Sequence, residues 1–320
     1  MHKRGKTFLI VFALGTLATG AWAGQARGMC PAPVLAMTYN IRLDTPADGE
    51  NAWTNRRDFL TGQIELLRPA LLGMQEVLPN QRGDLQAALK GYSFVGGGRD
   101  DGKLAGEASP LAIDDRVFRI RSSGTFWLSP TPLVPSRGWD AALPRIATWA
   151  HLSRKSDDTR MLAINTHWDH VGNEARIESG RQLARWIAAN RGRDEAVILL
   201  GDLNTGADDP AVAGMVDTAG LLSTASEQEA RGSGGAPPST FNGYDAVPQP
   251  GRVIDHIFVS RAVGVLRGMV LALHRNGRVA SDHFPVAALL RLPAGDREVP
   301  CAARQAQCAC KAPSPAELRK

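Results

Sequence analysis

Short blocks of acidic, amide and histidine side chains recur along this chain, several of them placed directly after an apolar run. GDLN at 201–204 follows AVILL at 196–200, and SDHFPV at 281–286 opens on a small-residue turn. MTYNIR (37–42), GMQEV (73–77), NTHWDH (165–170) and IDHIFVS (254–260) have the same character. Apolar runs of this length read as strands, and a strand that ends on a polar residue delivers it to the edge of a sheet. Asn40, Glu76, Asp202, Asn204, Asp255 and Asp282 supply hard oxygen atoms, while His167 and His283 supply rings that can carry charge near neutral pH. Together these are the parts of a metal-assisted phosphoester hydrolase. Any one block has a plainer reading, since an Asn after a strand is a common turn former and GDLN alone can close a turn. Six blocks in one chain outweigh it.

Such residues meet only if many strands end in one place. Strand signals cover 34–41, 71–75, 92–96, 111–114, 118–127, 146–153, 161–166, 197–200, 253–259 and 287–292. Helical spacing covers 54–67, 81–89 and, most clearly, 174–189, where Ile177, Leu183, Ala184 and Ile187 share a face opposite Arg176, Arg181 and Arg185. The alternation runs from 34 to 292 without a long linker, as expected of one large domain of two sheets flanked by helices. Three polar, glycine- and proline-rich loops, 96–110, 131–145 and 230–252, are placed to surround a site.

The ends of the chain read differently. A basic start (Lys3, Arg4, Lys6), an apolar stretch from Phe8 and an Ala21, Trp22, Ala23 close predict a secretory leader over 1–23, and therefore a periplasmic or secreted protein. No stretch approaches the roughly 20 apolar residues of a membrane span, so no stable membrane insertion is expected. Residues 24–33 form an extension carrying Cys30; residues 293–320 form a largely irregular tail carrying Cys301, Cys308 and Cys310. In an exported protein the plainest use of these cysteines is a disulfide from Cys30 to the tail. The formal charge is +5, and leader and tail, with eight basic and three acidic residues, account for all of it. The balanced body gives no support for tight binding to a polyanion.

The order Asn40, Glu76, His167, Asp202 with Asn204, Asp255, and Asp282 with His283 resembles the endonuclease/exonuclease/phosphatase superfamily, which includes pancreatic-type deoxyribonucleases, inositol phosphate phosphatases, sphingomyelinases and deadenylases. DGENAW (48–53), GRDDG (98–102), GTFWLS (124–129) and GWDAALPR (138–145) are similar to an exported bacterial subgroup with deadenylase-like relatives. The resemblance implies a DNase-I-like α/β fold, a four-layer sandwich of two packed mixed sheets flanked by helices. It implies Mg2+, with Mn2+ as a substitute, held by Asn40, Glu76 and Asp282, and a catalytic set of His167, Asp202, Asn204, Asp255 and His283. In that set Asp202 directs the attacking water, the histidines and Asn204 hold the phosphate, and Asp255 favours the charged form of His283.

Trp168 and His256 stand where other side chains are usual, and strand alternation should turn both away from their catalytic neighbours. Asp169 has three open roles: lining the cleft, binding metal or closing a turn. Arg99, Glu107, Trp139, Arg145 and His170 are the candidates for contacting whatever the phosphate is attached to. The expected molecule is a monomeric phosphoesterase acting on a phosphodiester or phosphomonoester. A nuclease using the same residues and a non-catalytic ligand-binding homologue are the alternatives. A phospholipid headgroup would call for an exposed apolar hairpin, which no loop announces.

Overall fold

The computed structural model describes residues 32–225 and 238–294, so the expected leader and all four cysteines lie outside the described residues. The first sheet has the strand order β11-β12-β1-β2-β4-β3. Its members are β1 (Val34–Asn40), β2 (Leu71–Gln75), β3 (Tyr92–Val95), β4 (Leu111–Asp114), β11 (Gly264–Val270) and β12 (Val286–Arg291). The second runs β5-β6-β7-β8-β10-β9. It contains β5 (Phe118–Trp127), β6 (Ile146–Arg154), β7 (Arg160–His167), β8 (Ala196–Asp202), β9 (Leu221–Ser223) and β10 (Asp255–Ser260). Both sheets are mixed, because β1 runs parallel to β2 and β7 parallel to β8 while the remaining pairs are antiparallel. Helices α1 (Trp53–Leu67), α2 (Pro79–Ala88), α3 (Asn173–Asn190) and α4 (Pro210–Ala219) complete the expected four layers.

Strand alternation sorts the side chains into three apolar layers. Ala36, Leu71, Ile113, Leu152, Ala163, Ile198, Leu200, Ile257 and Val259 pack between the sheets. Met37, Tyr39, Leu72, Met74 and Ala112, one residue out of step, meet Leu60, Ile64 and Leu85 of α1 and α2. Leu162, Ile164, Val197, Leu199 and Phe258 meet Leu183, Ile187, Val212 and Met215 of α3 and α4. Each fully buried side chain of this size contributes about 1.5–3 kcal/mol. That surplus supports a polar patch between the sheets: Gln75 Nε2 donates to Thr38 Oγ1 (3.0 Å) and Asn165 Oδ1 (2.7 Å), and Asn165 Nδ2 donates to Met74 O and Pro110 O. Gly73 makes room for it, since a Cβ there would lie 2.6 Å from Asn165 Oδ1.

The expected strands are all present. Helix α2 begins two residues earlier than expected, at Pro79, whose missing N–H costs nothing at a first helical position, while the Gln81 side chain accepts from Leu78 N. Helix α4 and strands β9 and β11 were not expected. Leu133 and Val134 stand 87% and 53% exposed in the 131–145 loop. Among the described residues no helix is long and apolar enough to cross a membrane.

Candidate active site

The face of each sheet that packs against the other carries apolar residues for most of its length and polar ones at one end. Along β1 this face reads Ala36, Thr38, Asn40; along β8, Ile198, Leu200, Asp202; along β7, Ala163, Asn165, His167. Register then brings the ends level: Asn40 lies beside Gln75, His167 beside Asp202, and Asp202 opposite Asp255. Period-two alternation and strand register therefore bring Asn40, His167, Asp202 and Asp255 together, while Glu76, Asn204, Asp282 and His283 come from the segments beside the strand ends.

Asp202 is the centre. Its Oδ2 accepts from Asn40 Nδ2 at 3.0 Å and lies 3.7 Å from His167 Nε2 and 3.8 Å from His283 Nε2. Its Oδ1 accepts from Asn204 N at 2.9 Å. Burial, reinforced by the nearby Asp255 charge, raises the Asp202 carboxyl to about 7. His283 Nδ1 meets Asp255 Oδ2 at 2.9 Å. Burial works against the imidazolium there, but Asp255, Asp202 and Asp282 outweigh it and raise His283 to about 10.

His167 goes the other way. Burial, together with the positive charges of Arg145, His283 and Arg99, holds it well below its ordinary value. Its tautomer follows from a neighbour: Asn204 Nδ2 is 3.0 Å from both Trp168 O and His167 Nε2. A carbonyl only accepts, so the amide nitrogen must face it, and His167 Nε2 is left to accept from the same NH2 group. The neutral ring then carries its proton on Nδ1.

The cation candidates are joined to this centre. Asn40 Nδ2 also donates to Glu76 Oε1 at 3.0 Å, Leu43 N donates to Glu76 Oε2 at 3.0 Å, and Asn40 Oδ1 accepts from Arg42 N. Asn40 thus links the two carboxylates through its nitrogen. Glu76 and Asp282 both line the cleft, and burial, opposed by His283 and reinforced by Glu76, raises the Asp282 carboxyl. By distance alone, Asp202, Asp255 and His283 form the described His/Cys/Asp/Glu group whose donor atoms all lie within 4.8 Å of one another. An imidazolium already bound to Asp255 makes that group a charge cluster more than a metal cage. Arg42, Glu76 and Asn204 all take left-handed backbone, with φ of 57, 62 and 54°. Non-glycine residues held there by their surroundings cluster at functional sites.

The cleft has a volume of about 690 Å3, and Arg99, Glu107, Arg145 and His170 are among the residues that line it. Arg99 Nη2 pairs with Glu107 Oε1 at 2.7 Å, Arg145 Nε with Asp169 Oδ2 at 3.2 Å, and Arg145 Nη2 contacts His170 Nδ1 at 2.9 Å. Burial raises the Glu107 carboxyl, with Arg99 opposing. Asp169 closes a turn, accepting from Val171 N and Gly172 N. Trp139 does not join the lining. Its half-exposed residue belongs to a turn drawn away to α3, where Asp140 accepts from Glu174 N and Ala175 N. Trp168 is buried in the helix-side layer, and His256 donates to Thr205 O and stacks on Phe258, so both point away from their catalytic neighbours.

Arg42, Leu143, Phe241 and Arg252 line the cleft but were not singled out from the sequence. Phe241 is 51% exposed and meets the His283 ring at 5.3 Å, edge to face. Its only sequence signal was a place in the 230–252 loop.

Comparison with known proteins agrees with this geometry. The model of the Endonuclease/Exonuclease/phosphatase family matches residues 37–283. A solved mannosyl-6-phosphatase of Bacteroides thetaiotaomicron is 33% identical, with a TM-score of 0.73 over 80% of this chain and 99% of that one. The catalytic domain of human nocturnin shares the fold at 20% identity, with a TM-score of 0.65 over 81% of this chain and 93% of its own. An uncharacterized protein of Acanthamoeba polyphaga mimivirus is 29% identical over 160 residues, 48% of this chain and 59% of that protein, so the chain spans less than two thirds of this relative.

Proposed function

The chain belongs to the endonuclease/exonuclease/phosphatase family, and from that premise we propose that it is an exported, divalent-cation-dependent phosphoesterase whose substrate is a small phosphoester, with sugar phosphates favoured. The observation that carries the reading is the convergence of Asn40, His167 and His283 on one oxygen of Asp202. The donor chemistry fits a hard cation: Glu76 and Asp282 offer carboxylate oxygens in one cleft, where burial, reinforced by Glu76, raises the Asp282 carboxyl. Glu76 and Asp282 would hold the ion, with Asn40 ordering Glu76 against Asp202. Bound there, Mg2+ supplies charge neutralisation at a phosphoryl oxygen.

The remaining work falls to side chains. Asp202, raised to about 7, is poised to orient water and accept its proton. The water oxygen bonds to phosphorus as the ester P–O bond opposite it breaks, and the departing alkoxide takes up a proton from solvent to leave as the alcohol. His283 donates from Nε2 to a phosphoryl oxygen, where negative charge grows in the transition state. Neutral His167 holds Asn204, which in turn keeps Asp202 aimed through its backbone N–H.

Paired cations favour a small substrate. Arg42 faces Asp48 and Asp282, Arg99 faces Glu107 and Arg145 faces Asp169, which leaves Arg252, bonded to Thr205 Oγ1, as the cleft arginine without a carboxylate among the described ion pairs, and so little free positive charge for a nucleic-acid backbone. The cleft volume suits one sugar-sized group. Phe241 and Leu143 offer apolar surface to a ring, and the Arg99–Glu107 pair offers polar contacts to hydroxyls. The mannosyl-6-phosphatase similarity supports the same choice.

The test is hydrolysis of hexose 6-phosphates, p-nitrophenyl phosphate, bis(p-nitrophenyl) phosphate, single-stranded DNA, RNA and sphingomyelin with Mg2+, Mn2+ or chelator. We expect phosphate release from a hexose phosphate that requires the cation and is absent in His283→Ala. Equal rates in chelator or in the variant would sink the reading, and turnover confined to DNA or RNA would replace the substrate class.

A further inference from the structure

Arg56, in the first turn of α1, is 3% exposed, and the proposed chemistry makes no use of it. All three guanidinium nitrogens are engaged, and every acceptor is a backbone carbonyl. Nε donates to Asn51 O at 2.8 Å; Nη1 donates to Ile41 O and, at 3.2 Å, to Ala280 O; Nη2 donates to Arg42 O at 2.7 Å and reaches Leu43 O at 3.4 Å. Its guanidinium carbon lies 5.1 Å from the centroid of the Trp53 ring. Among the described ion pairs no carboxylate neutralises it. A buried charge is costly unless dipoles surround it, and here the carbonyls of three chain segments do so.

Those segments lead into the site. Leu43 N holds Glu76 Oε2, and Arg42 turns its guanidinium toward Asp48 and Asp282. Ala280 precedes Ser281, whose Oγ donates to Asn40 O at 2.7 Å, and then come Asp282 and His283. The Arg42 backbone, at φ 57°, takes a second donor on its carbonyl from Gln81 Nε2 at 2.8 Å. Only a planar fork reaches carbonyls in several directions at once; a lysine presents its donors from a single atom.

We propose that Arg56 is a positioning residue, whose fork fixes the 41–43 turn against the 280–283 segment and so sets the spacing of Glu76 and Asp282 and the aim of His283. The proposal rests on the active-site reading given above. Small displacements of such groups carry large rate penalties, on the order of 100-fold for about 1 Å.

The test compares wild type, Arg56→Lys and Leu85→Ala, an apolar core truncation in the same layer that removes none of the hydrogen bonds named above. Thermal unfolding, steady-state kinetics and Mn2+ binding by titration calorimetry are measured on each. Arg56→Lys is expected to fold, lose about 100-fold in kcat with KM changed less than about threefold, and bind Mn2+ about tenfold more weakly. Leu85→Ala is expected to lose stability while keeping kcat and Mn2+ affinity. A folded Arg56→Lys with wild-type kcat and Mn2+ affinity overturns the proposal, as does a matching loss in Leu85→Ala. If Arg56→Lys does not fold, Gln81→Glu removes the other donor to Arg42 O with Arg56 intact; a lower kcat supports the proposal, and an unchanged kcat and Mn2+ affinity overturn it. Wild type that neither turns over nor binds Mn2+ sinks the phosphoesterase reading and this proposal with it.

Discussion

His167 and His283 approach the same oxygen of Asp202 at nearly equal distances, yet their surroundings give them opposite charges. His167 sees burial and three positive neighbours, whereas His283 is bonded to Asp255 and faces two further carboxylates. Environments that push two like groups apart assign their roles, one as acceptor and one as donor. His283, raised to about 10, stays imidazolium through neutral pH, so the alkaline limb of kcat is expected near pH 10. Asp255→Asn removes the bonded charge, and that limb should move down toward the ordinary histidine range, near 6.5, cutting kcat at pH 8 by about 10- to 100-fold. Stability follows with a fixed sign. A histidine raised on folding contributes stability that is complete below its unfolded value and lost as pH rises through about 10. Wild type should therefore lose thermal stability between pH 7 and 10 more steeply than Asp255→Asn. A pH–rate profile and melting curves over that range check both; an alkaline limb unmoved in the variant would remove Asp255 from its role.

At the level of elements, α3 lacks a side-chain cap of its own, because Gly172 stands at its N-cap. Asp140 fills the gap from a loop more than thirty residues earlier, accepting from Ala175 N at 2.6 Å and Glu174 N at 3.2 Å. A Cβ on Gly172 would lie 2.4 Å from Asp140 Oδ1, so the glycine makes room for this contact. Asp140→Ala should cost about 1 kcal/mol, or roughly 2–4 °C in Tm. The same loop carries Leu143 and Arg145 to the cleft, so KM should rise severalfold with kcat little changed. Calorimetry with steady-state kinetics measures both, and a Tm loss without any KM change would separate the cap from the cleft. The sequence shows α3 plainly, since its long apolar stripe is periodic, but not this distant cap. It shows Asn40, Asp202 and Asp255 because each lies at a strand end next to an apolar run. It hides α4, whose buried Ala211, Val212 and Met215 span too short a pattern, although Asp209, Pro210 and Gly220 mark its ends. It hides β11, an edge strand broken by Gly268 and a register shift between Val265 and Arg267. Phe241 and Arg56 were illegible for another reason: Phe241 meets His283, and Arg56 joins Asn51 and the 41–43 turn to Ala280, through folded contacts that no periodic spacing records.

The whole molecule turns on a single closing strand. The described residues form one compact unit, and β12, the last described element, lies between β11 and β1. Without it β1 would present an open edge beside Asn40. The strand is fastened just beyond its end: Leu292 is 5% exposed in the layer between the sheets, and Pro293 O accepts from Arg154 Nη2 at 3.0 Å and Thr159 Oγ1 at 3.1 Å. Arg154 in turn pairs with Asp157, whose carboxyl, despite burial, is held below its ordinary value by Arg154 and Thr159. Among the described residues, the last of these contacts falls at Pro293. A chain ending at Ala294 should melt within about 2 °C of the full protein and keep its kcat, because no described contact is lost. A chain ending at Arg291 gives up the burial of Leu292, about 1.5–3 kcal/mol, and a carbonyl acceptor worth about 1 kcal/mol. It should melt roughly 6–12 °C lower. Calorimetry of the two truncations beside the full chain decides the matter. An Ala294-terminated protein as destabilised as the shorter one would mean that residues beyond 294 stabilise the catalytic body, and the tail would have to be counted as part of the folded enzyme.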